Sequence, residues 1–166
     1  MPSESDRPAS IQFVPIEFQS NVYGQAIALR HAVLRQPLGL AYSERQLAAE
    51  HDQLHFGMLR GDDLLACVSV ILRSPTAAKI RQMAVDAAFQ GRGIGFELLC
   101  RVELELKMKG VQSIQLHARK VAVGFYERLG YVVTGEPFTE VTLPHIKMSK
   151  TIFDAFSVVD LVKDPP

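Results

Sequence analysis

A chain of 166 residues with 18 Lys+Arg against 18 Asp+Glu has no net charge with which to hold a polyanion, so its electrostatics do not point to nucleic acid. Hydrophobic residues make up 48% and charged residues 22%, ordinary for a globular domain, which excludes fibrous and compositionally disordered classes. No run reaches the roughly 18 apolar residues of a membrane helix.

In chain order, residues 1–10 are polar and hold Pro2 and Pro8; they read as a flexible tail ahead of a single domain over residues 11–150. The tail lacks the charged start and apolar centre of a signal peptide, and Cys67 and Cys100 lie in apolar settings suited to free thiols, so a cytoplasmic location is expected. A short strand is expected at 11–14. Val22, Ala26, Leu29 and Val33 recur at helical spacing and predict an amphipathic helix over 22–34, ended by Pro37 and Gly39. A second helix over 44–51 has Ser43 as N-cap and Gln46 to complete a capping box. Residues 54–60 and 64–72 read as strands around the turn Gly61-Asp62-Asp63.

Ser74-Pro75-Thr76 turns the chain into a strand over 78–85. A glycine-rich run follows, then a long helix with Leu98, Leu99, Val102 and Leu106 on its apolar face and Gly110 at its C-terminus. A strand at 114–117, a helix over 121–129 closed by Gly130, and strands near 131–134 and 146–149 complete the domain. A helical crossover beside a hairpin implies a mixed α/β (α+β) architecture, six to seven strands flanked by about four helices. Residues 151–166 form a C-terminal extension. Its Phe153, Phe156, Val158, Val159 and Leu161 need a docking surface, on the same subunit or on a second copy in a homodimer.

The chemistry gathers at Gln90-Gly91-Arg92-Gly93-Ile94-Gly95, between the strand over 78–85 and the long helix. A strand passing through glycines into a helix N-terminus leaves backbone N–H groups without intrahelical partners at the positive end of the dipole, a ready anion site. Glycines for steric reasons alone would look the same. A P-loop is excluded because no Gly-Lys-Ser/Thr closes the run, and the spacing is not that of a dinucleotide fingerprint.

Met83-Ala84-Val85 followed by Gln90 to Gly95 resembles motif A of the GNAT acyltransferases, and Ala122-Val123-Gly124-Phe125-Tyr126-Glu127-Arg128-Leu129-Gly130-Tyr131 resembles the A-x-x-F-Y-x-x-x-G-F/Y signature of the same family. The likeness covers residues 78–148 closely and 11–72 loosely. Residues 135–140 with Pro144-His145-Ile146-Lys147-Met148 are similar to the ElaA-like branch. The resemblance implies a GNAT fold and acetyl transfer from acetyl-coenzyme A. It also implies a diphosphate on Gln90, Gly91, Arg92, Gly93, Ile94 and Gly95, and main-chain contacts from Met83, Ala84 and Val85 to the pantetheine and acyl carbonyl. Arg119 stands where many members have Asn at a cofactor or thiol contact, and Ala87 replaces a common proline.

Attack of an amine on a thioester needs placement, a neutral amine and a proton for the departing thiolate. Tyr126 matches the tyrosine acid of the family; without that context, Phe125-Tyr126 is ordinary core packing. His117, at the end of its strand, can take the ammonium proton directly or through water, or can equally be a hydrogen-bonded core histidine. Glu136, Glu140 and His145 are either acceptor-binding groups or a local network. Arg30, Arg35 and Tyr42 border the acceptor side in the resembled family, or are solvated. His51 and His55, four apart, read as packed or solvated rather than as metal ligands. The expected activity is N-acetyl transfer to a primary amine of a small molecule or peptide. A non-catalytic coenzyme A binder and, more remotely, a nucleotide-binding protein are the alternatives.

Overall fold

The computed structural model describes residues 9–152. Positions 1–8 of the expected tail, and Phe153, Phe156, Val158, Val159 and Leu161, lie outside the described residues. The strands are β1 Ile11–Pro15, β2 Leu54–Arg60, β3 Asp63–Ser74, β4 Ala77–Val85, β5 Ser113–Arg119, β6 Val132–Val133, β7 Phe138–Glu140 and β8 Leu143–Thr151. The helices are α1 Asn21–Arg30, α2 Glu44–Ala48, α3 Ile94–Met108 and α4 Val123–Arg128. Sheet order is β1-β2-β3-β4-β5-β8-β6, with β7 also paired to β8. β4 and β5 run parallel, whereas β1/β2, β5/β8, β6/β8 and β7/β8 are antiparallel, so the sheet is mixed as expected. β7 is the strand the sequence did not announce.

The described residues divide into two compact units, one of residues 9–51, 55–68 and 82–98, the other of residues 52–54, 69–81 and 99–152. In the first, Ile16, Tyr23, Ala26, Leu64, Cys67 and Ala84 form a buried cluster. Ser20 caps α1 by accepting a hydrogen bond from the Tyr23 amide at 3.2 Å. The helix buries Tyr23, Ala26 and Arg30, while Val22, Leu29 and Val33, the stripe expected to face inward, are only partly covered. After Arg30 the coil widens into a π turn, His31–Arg35, then tightens into the 3-10 turn Gln36–Leu38, and Gly39 at φ 68 ends it.

The capping box of α2 is present: Ser43 Oγ accepts from the Gln46 amide at 3.2 Å and Gln46 Oε1 accepts from the Ser43 amide at 2.8 Å. The helix nevertheless stops at Ala48, short of residue 51. Gly61 at φ 60 turns β2 into β3, as suits glycine at the first central position of a two-residue hairpin. Gly57 is required for a different reason, since a Cβ there would lie 2.6 Å from Leu64 Cδ1 and 2.9 Å from the Ala66 carbonyl oxygen.

In the second unit, β5 alternates. Ile114, Leu116 and Ala118 are buried, leaving Gln115, His117 and Arg119 on the opposite face. The β4/β5 ladder joins Ala77–Ile80 to Ser113–Leu116, and β8 pairs with β5 on its other side from Ser113↔Thr151 to Arg119↔His145. Residues opposite one another in an antiparallel pair share a face, so His117 stands beside Lys147, and Arg119 beside His145.

Candidate active site

In the first unit, the chain leaves β4 with the Asp86 amide bonded to the Leu65 carbonyl at 2.8 Å and Asp86 Oδ1 accepting from the Ala88 amide at 2.9 Å. A 3-10 turn, Ala87–Phe89, leads to Gln90, whose Nε2 donates to the Val85 carbonyl at 3.0 Å and ties the loop back to the strand. Gly91 and Gly93 adopt φ 75 and φ 80. A Cβ at either would meet nothing within 4 Å, so conformation rather than space makes them glycine. The Gly93 carbonyl accepts the Glu97 amide at 3.0 Å, so α3 starts here and the amides of Ile94, Gly95 and Phe96 precede any intrahelical acceptor. The guanidinium groups of Arg60 and Arg92 lie over the Phe89 ring at 4.7 and 5.2 Å. Two cations and a helix N-terminus thus meet one exposed glycine loop, an arrangement that fits a diphosphate.

Just before this loop, Met83 and Val85 are half-buried on either side of buried Ala84. Gln82 has φ 54, rare for a residue with a side chain, and its Nε2 donates to Glu50 Oε2 at 2.9 Å. Glu50 is the centre of a buried group. It accepts from Arg30 Nη1 and Nη2, both at 2.8 Å, and from the Tyr23 hydroxyl at 2.8 Å, while the His55 Nε2–H donates to the Glu50 carbonyl at 3.1 Å. Burial raises the Glu50 carboxyl, but the bonds from Arg30, Tyr23 and Gln82 outweigh it and hold the group below the usual carboxylate range. Burial pushes the His55 imidazole down.

Arg30 is 1% exposed, so it is neither a solvated flank nor a surface pair, the alternatives its helical position suggested. The Arg30 and Arg35 guanidiniums both lie over the Tyr42 ring, at 4.7 and 4.6 Å from its centroid. His51 is exposed with Nδ1 on the Ala48 carbonyl. Among the described residues no group of three His, Cys, Asp or Glu is arranged to hold a metal ion.

The second unit holds Tyr126, His117 and Arg119. Tyr126 packs edge-on against Phe125 and Tyr131, with centroids at 5.1 and 5.9 Å. Burial pushes its phenol up to about 12 against the opposing charge of Arg119. His117 is part-buried, its ring edge-on to Phe138 at 4.9 Å, with Nδ1 3.2 Å from Glu140 Oε1 and 3.4 Å from Lys79 Nζ. Burial and the charges of Arg73 and Arg81 lower the Lys79 ammonium.

Glu140 Oε2 lies 3.8 Å from His145 Nε2, and His145 Nδ1 donates to the Leu143 carbonyl at 2.9 Å. Glu136 is exposed. His145 also borders a largely apolar, half-open cavity of about 290 Å³ with Val123, Val133 and Pro137. The structure therefore brings His117, Glu140 and His145 together, and sets Arg119 near Tyr126. Sequence reasoning missed Lys79 and Glu50. Lys79 was accessible in principle, since it pairs with Gln115 and therefore falls on the face that carries His117.

A family model described as an acetyltransferase (GNAT) domain matches residues 32–152. The Bacillus subtilis N-acetyltransferase YitI is 27% identical over 131 residues, covering 75% of this chain and 88% of that protein. The Bacillus subtilis protein YyaT is 33% identical over 75 residues, 45% of this chain and 51% of that one, so the chain spans about half the length of the first curated relatives it matches. Among solved structures, Escherichia coli ElaA superposes with a TM-score of 0.74 at 19% identity, over 85% of this chain and 99% of that one. An acyl-CoA N-acyltransferase from Pseudomonas aeruginosa gives 0.72 at 21%, over 85% and 99%. A GNAT family acetyltransferase from Elizabethkingia anophelis with acetyl-CoA bound gives 0.67 at 18%, over 86% and 98%. At these identities the likeness is one of fold.

Proposed function

The chain belongs to the GNAT acetyltransferase family, and from that premise we propose that it transfers an acetyl group from acetyl-coenzyme A to a primary amine of a small molecule or peptide. The observation that carries this reading is the start of α3, where Gly91 and Gly93 at positive φ present the amides of Ile94, Gly95 and Phe96 beside Arg92. Acetyl-coenzyme A supplies an acyl group already activated by a thiol leaving group. The amides around residues 90–95 hold its diphosphate, and the main chain of Met83, Ala84 and Val85 orients the pantetheine. Placement of this kind lowers the barrier by about 7 to 11 kcal/mol.

Tyr126 acts as the acid. With its phenol at about 12 it keeps its proton across the whole neutral range and offers it to the departing sulfur. His117 takes the proton from the incoming ammonium; among the described residues its contacts with Lys79 and Glu140 both use Nδ1. Among the described residues no helix is long and apolar enough to cross a membrane, and with its free cysteines we place the protein in the cytoplasm.

Thiol release from acetyl-coenzyme A with a panel of amines tests this. Tyr126→Phe is expected to lose about 10²- to 10⁴-fold in turnover while still binding coenzyme A. Equal turnover by the two proteins would remove Tyr126 from the chemistry. A second reading, a non-catalytic coenzyme A binder, is favoured by one observation: Arg119, a cation near the phenol, stands where many family members carry Asn. Tight binding without transfer to any amine, lysine peptides included, would select it.

A further inference from the structure

We propose that Glu140, His145 and Lys79 make His117 a relay that passes the acceptor's proton on, rather than a base that merely stores it. The proposal rests on the acetyltransferase reading above and concerns one face of the second unit.

Both Glu140 Oε1, at 3.2 Å, and Lys79 Nζ, at 3.4 Å, address the same ring atom, His117 Nδ1. They ask opposite things of it. A carboxylate only accepts, so Glu140 favours the tautomer with a proton on Nδ1; an ammonium only donates, so Lys79 favours the tautomer with the proton on Nε2. An imidazole with both partners in place has two supported tautomers. In the first, Nε2 carries the lone pair that can receive a proton, and in the second that proton has arrived and Nδ1–H has been given up.

His145 is prepared as the recipient. Its Nδ1 faces the Leu143 carbonyl at 2.9 Å, and because a carbonyl only accepts, the ring proton is fixed there and the Nε2 lone pair points toward Glu140 Oε2 at 3.8 Å. The ammonium N–H breaks and Nε2–H of His117 forms; Nδ1–H of His117 breaks and O–H of Glu140 forms. The carboxyl then yields its proton to His145 Nε2 through one water, since 3.8 Å is too long for a direct hydrogen bond. One positive charge moves from the amine to His145, and the amine regains its lone pair; His145 borders the half-open cavity.

A second, independent feature holds Glu140 in place. β7 and β8 are joined through Val141 and Thr142, which adopt φ 49 and φ 63, with Glu140 paired to Leu143. Left-handed backbone at two β-branched residues is strained, and such strain concentrates where a side chain must be held for chemistry. Charged groups on the strands around His117 include Lys79 and Arg81 from β4, Glu140 from β7, Lys147 opposite it on β8 and Arg119 on its own strand. Among the described residues, Lys79 and Glu140 are the charged groups within hydrogen-bond distance of the ring.

Long-range 1H–15N correlation on the labelled full-length protein, above neutral pH and without ligand, tests the proposal. His117 is expected to show nitrogen shifts averaged between both tautomers, and His145 those of the Nδ1–H form. Lys79→Met should move His117 toward Nδ1–H and Glu140→Ala toward Nε2–H. A single His117 tautomer in the wild type that neither substitution moves, or a proton on His145 Nε2 alone, overturns the relay.

With acetyl-coenzyme A, Glu140→Ala should lower kcat/KM for a strongly basic alkylamine by about 10²-fold. The deficit should shrink for trifluoroethylamine, which arrives largely neutral, with KM for acetyl-coenzyme A unchanged. An equal deficit for both amines marks a structural role. Failure of all amines would instead contradict the acetyltransferase reading, leaving the tautomer spectrum to judge the relay by itself.

Discussion

Two glutamates organise the two units, and they differ in nearly everything but residue type. Glu50 is 3% exposed at its side chain and receives two bonds from Arg30, one from Tyr23 and one from Gln82. Glu140 is 42% exposed and faces two histidines, His117 and His145. A carboxylate deep in the fold and saturated by permanent cations and neutral donors has no proton to exchange at working pH, so it holds structure. A half-exposed carboxylate within reach of two imidazole rings has partners that can either donate or accept a proton, which is the setting the proposed relay uses. Burial and the partner's own chemistry decide the role.

The largest expected effect follows from removing the buried partner. Glu50→Ala leaves Arg30 charged and unpaired in the core, and should cost about 3 to 5 kcal/mol in denaturant unfolding. Glu140→Ala should change stability by no more than about 1 kcal/mol, as for exposed pairs, while it alters catalysis. Comparable stability losses for the two would erase the distinction drawn between them.

Acid weakens the buried group next. The folded-state pKa of Glu50 is depressed, so its contribution is present above the unfolded carboxylate value and is lost as pH falls through the folded one. His55, also depressed, contributes fully above its unfolded value near 6.5 and loses that contribution as pH drops below it. Stability should therefore be flat above neutrality with respect to these groups, then decline in two stages on acidification. Thermal unfolding of His55→Gln across that range should lack the first stage, and an unchanged profile would exclude His55 as its source.

A more modest effect than loss of the buried pair concerns the hairpin behind Glu140. Replacing Val141 and Thr142 by Asn and Gly, which tolerate left-handed backbone, should stabilise the protein by about 1 to 2 kcal/mol. Unchanged or lowered stability would mean that the turn stores no strain.

That hairpin also shows where the sequence becomes hard to read. Two-residue turns are recognised by residues such as Asn-Gly, and Val-Thr is nearly the opposite signal, so β7 went unforeseen together with the position of Glu140. Gly61, Gly110 and Gly130 announced their left-handed sites because glycine is the residue such turns and helix ends select. Helix α3 was legible over Ile94–Met108 for a related reason: its apolar spacing and its glycine boundaries agree.

Arg30 illustrates the converse. A charged residue on a helix flank reads as solvated, and only the fold reveals the glutamate 20 positions later that makes its burial tolerable. His117 could be named as a candidate from its strand position. Its tautomeric setting could not, because Lys79 and Glu140 lie 38 and 23 residues away in sequence.

If the amides opening α3 grip a diphosphate, backbone amide NMR will report it. On adding coenzyme A, the amide resonances of residues 91–96 should shift strongly, whereas pantetheine, which lacks the diphosphate, should leave them in place. Resonances from that loop that stay still with coenzyme A, or that move equally with pantetheine, would contradict the account.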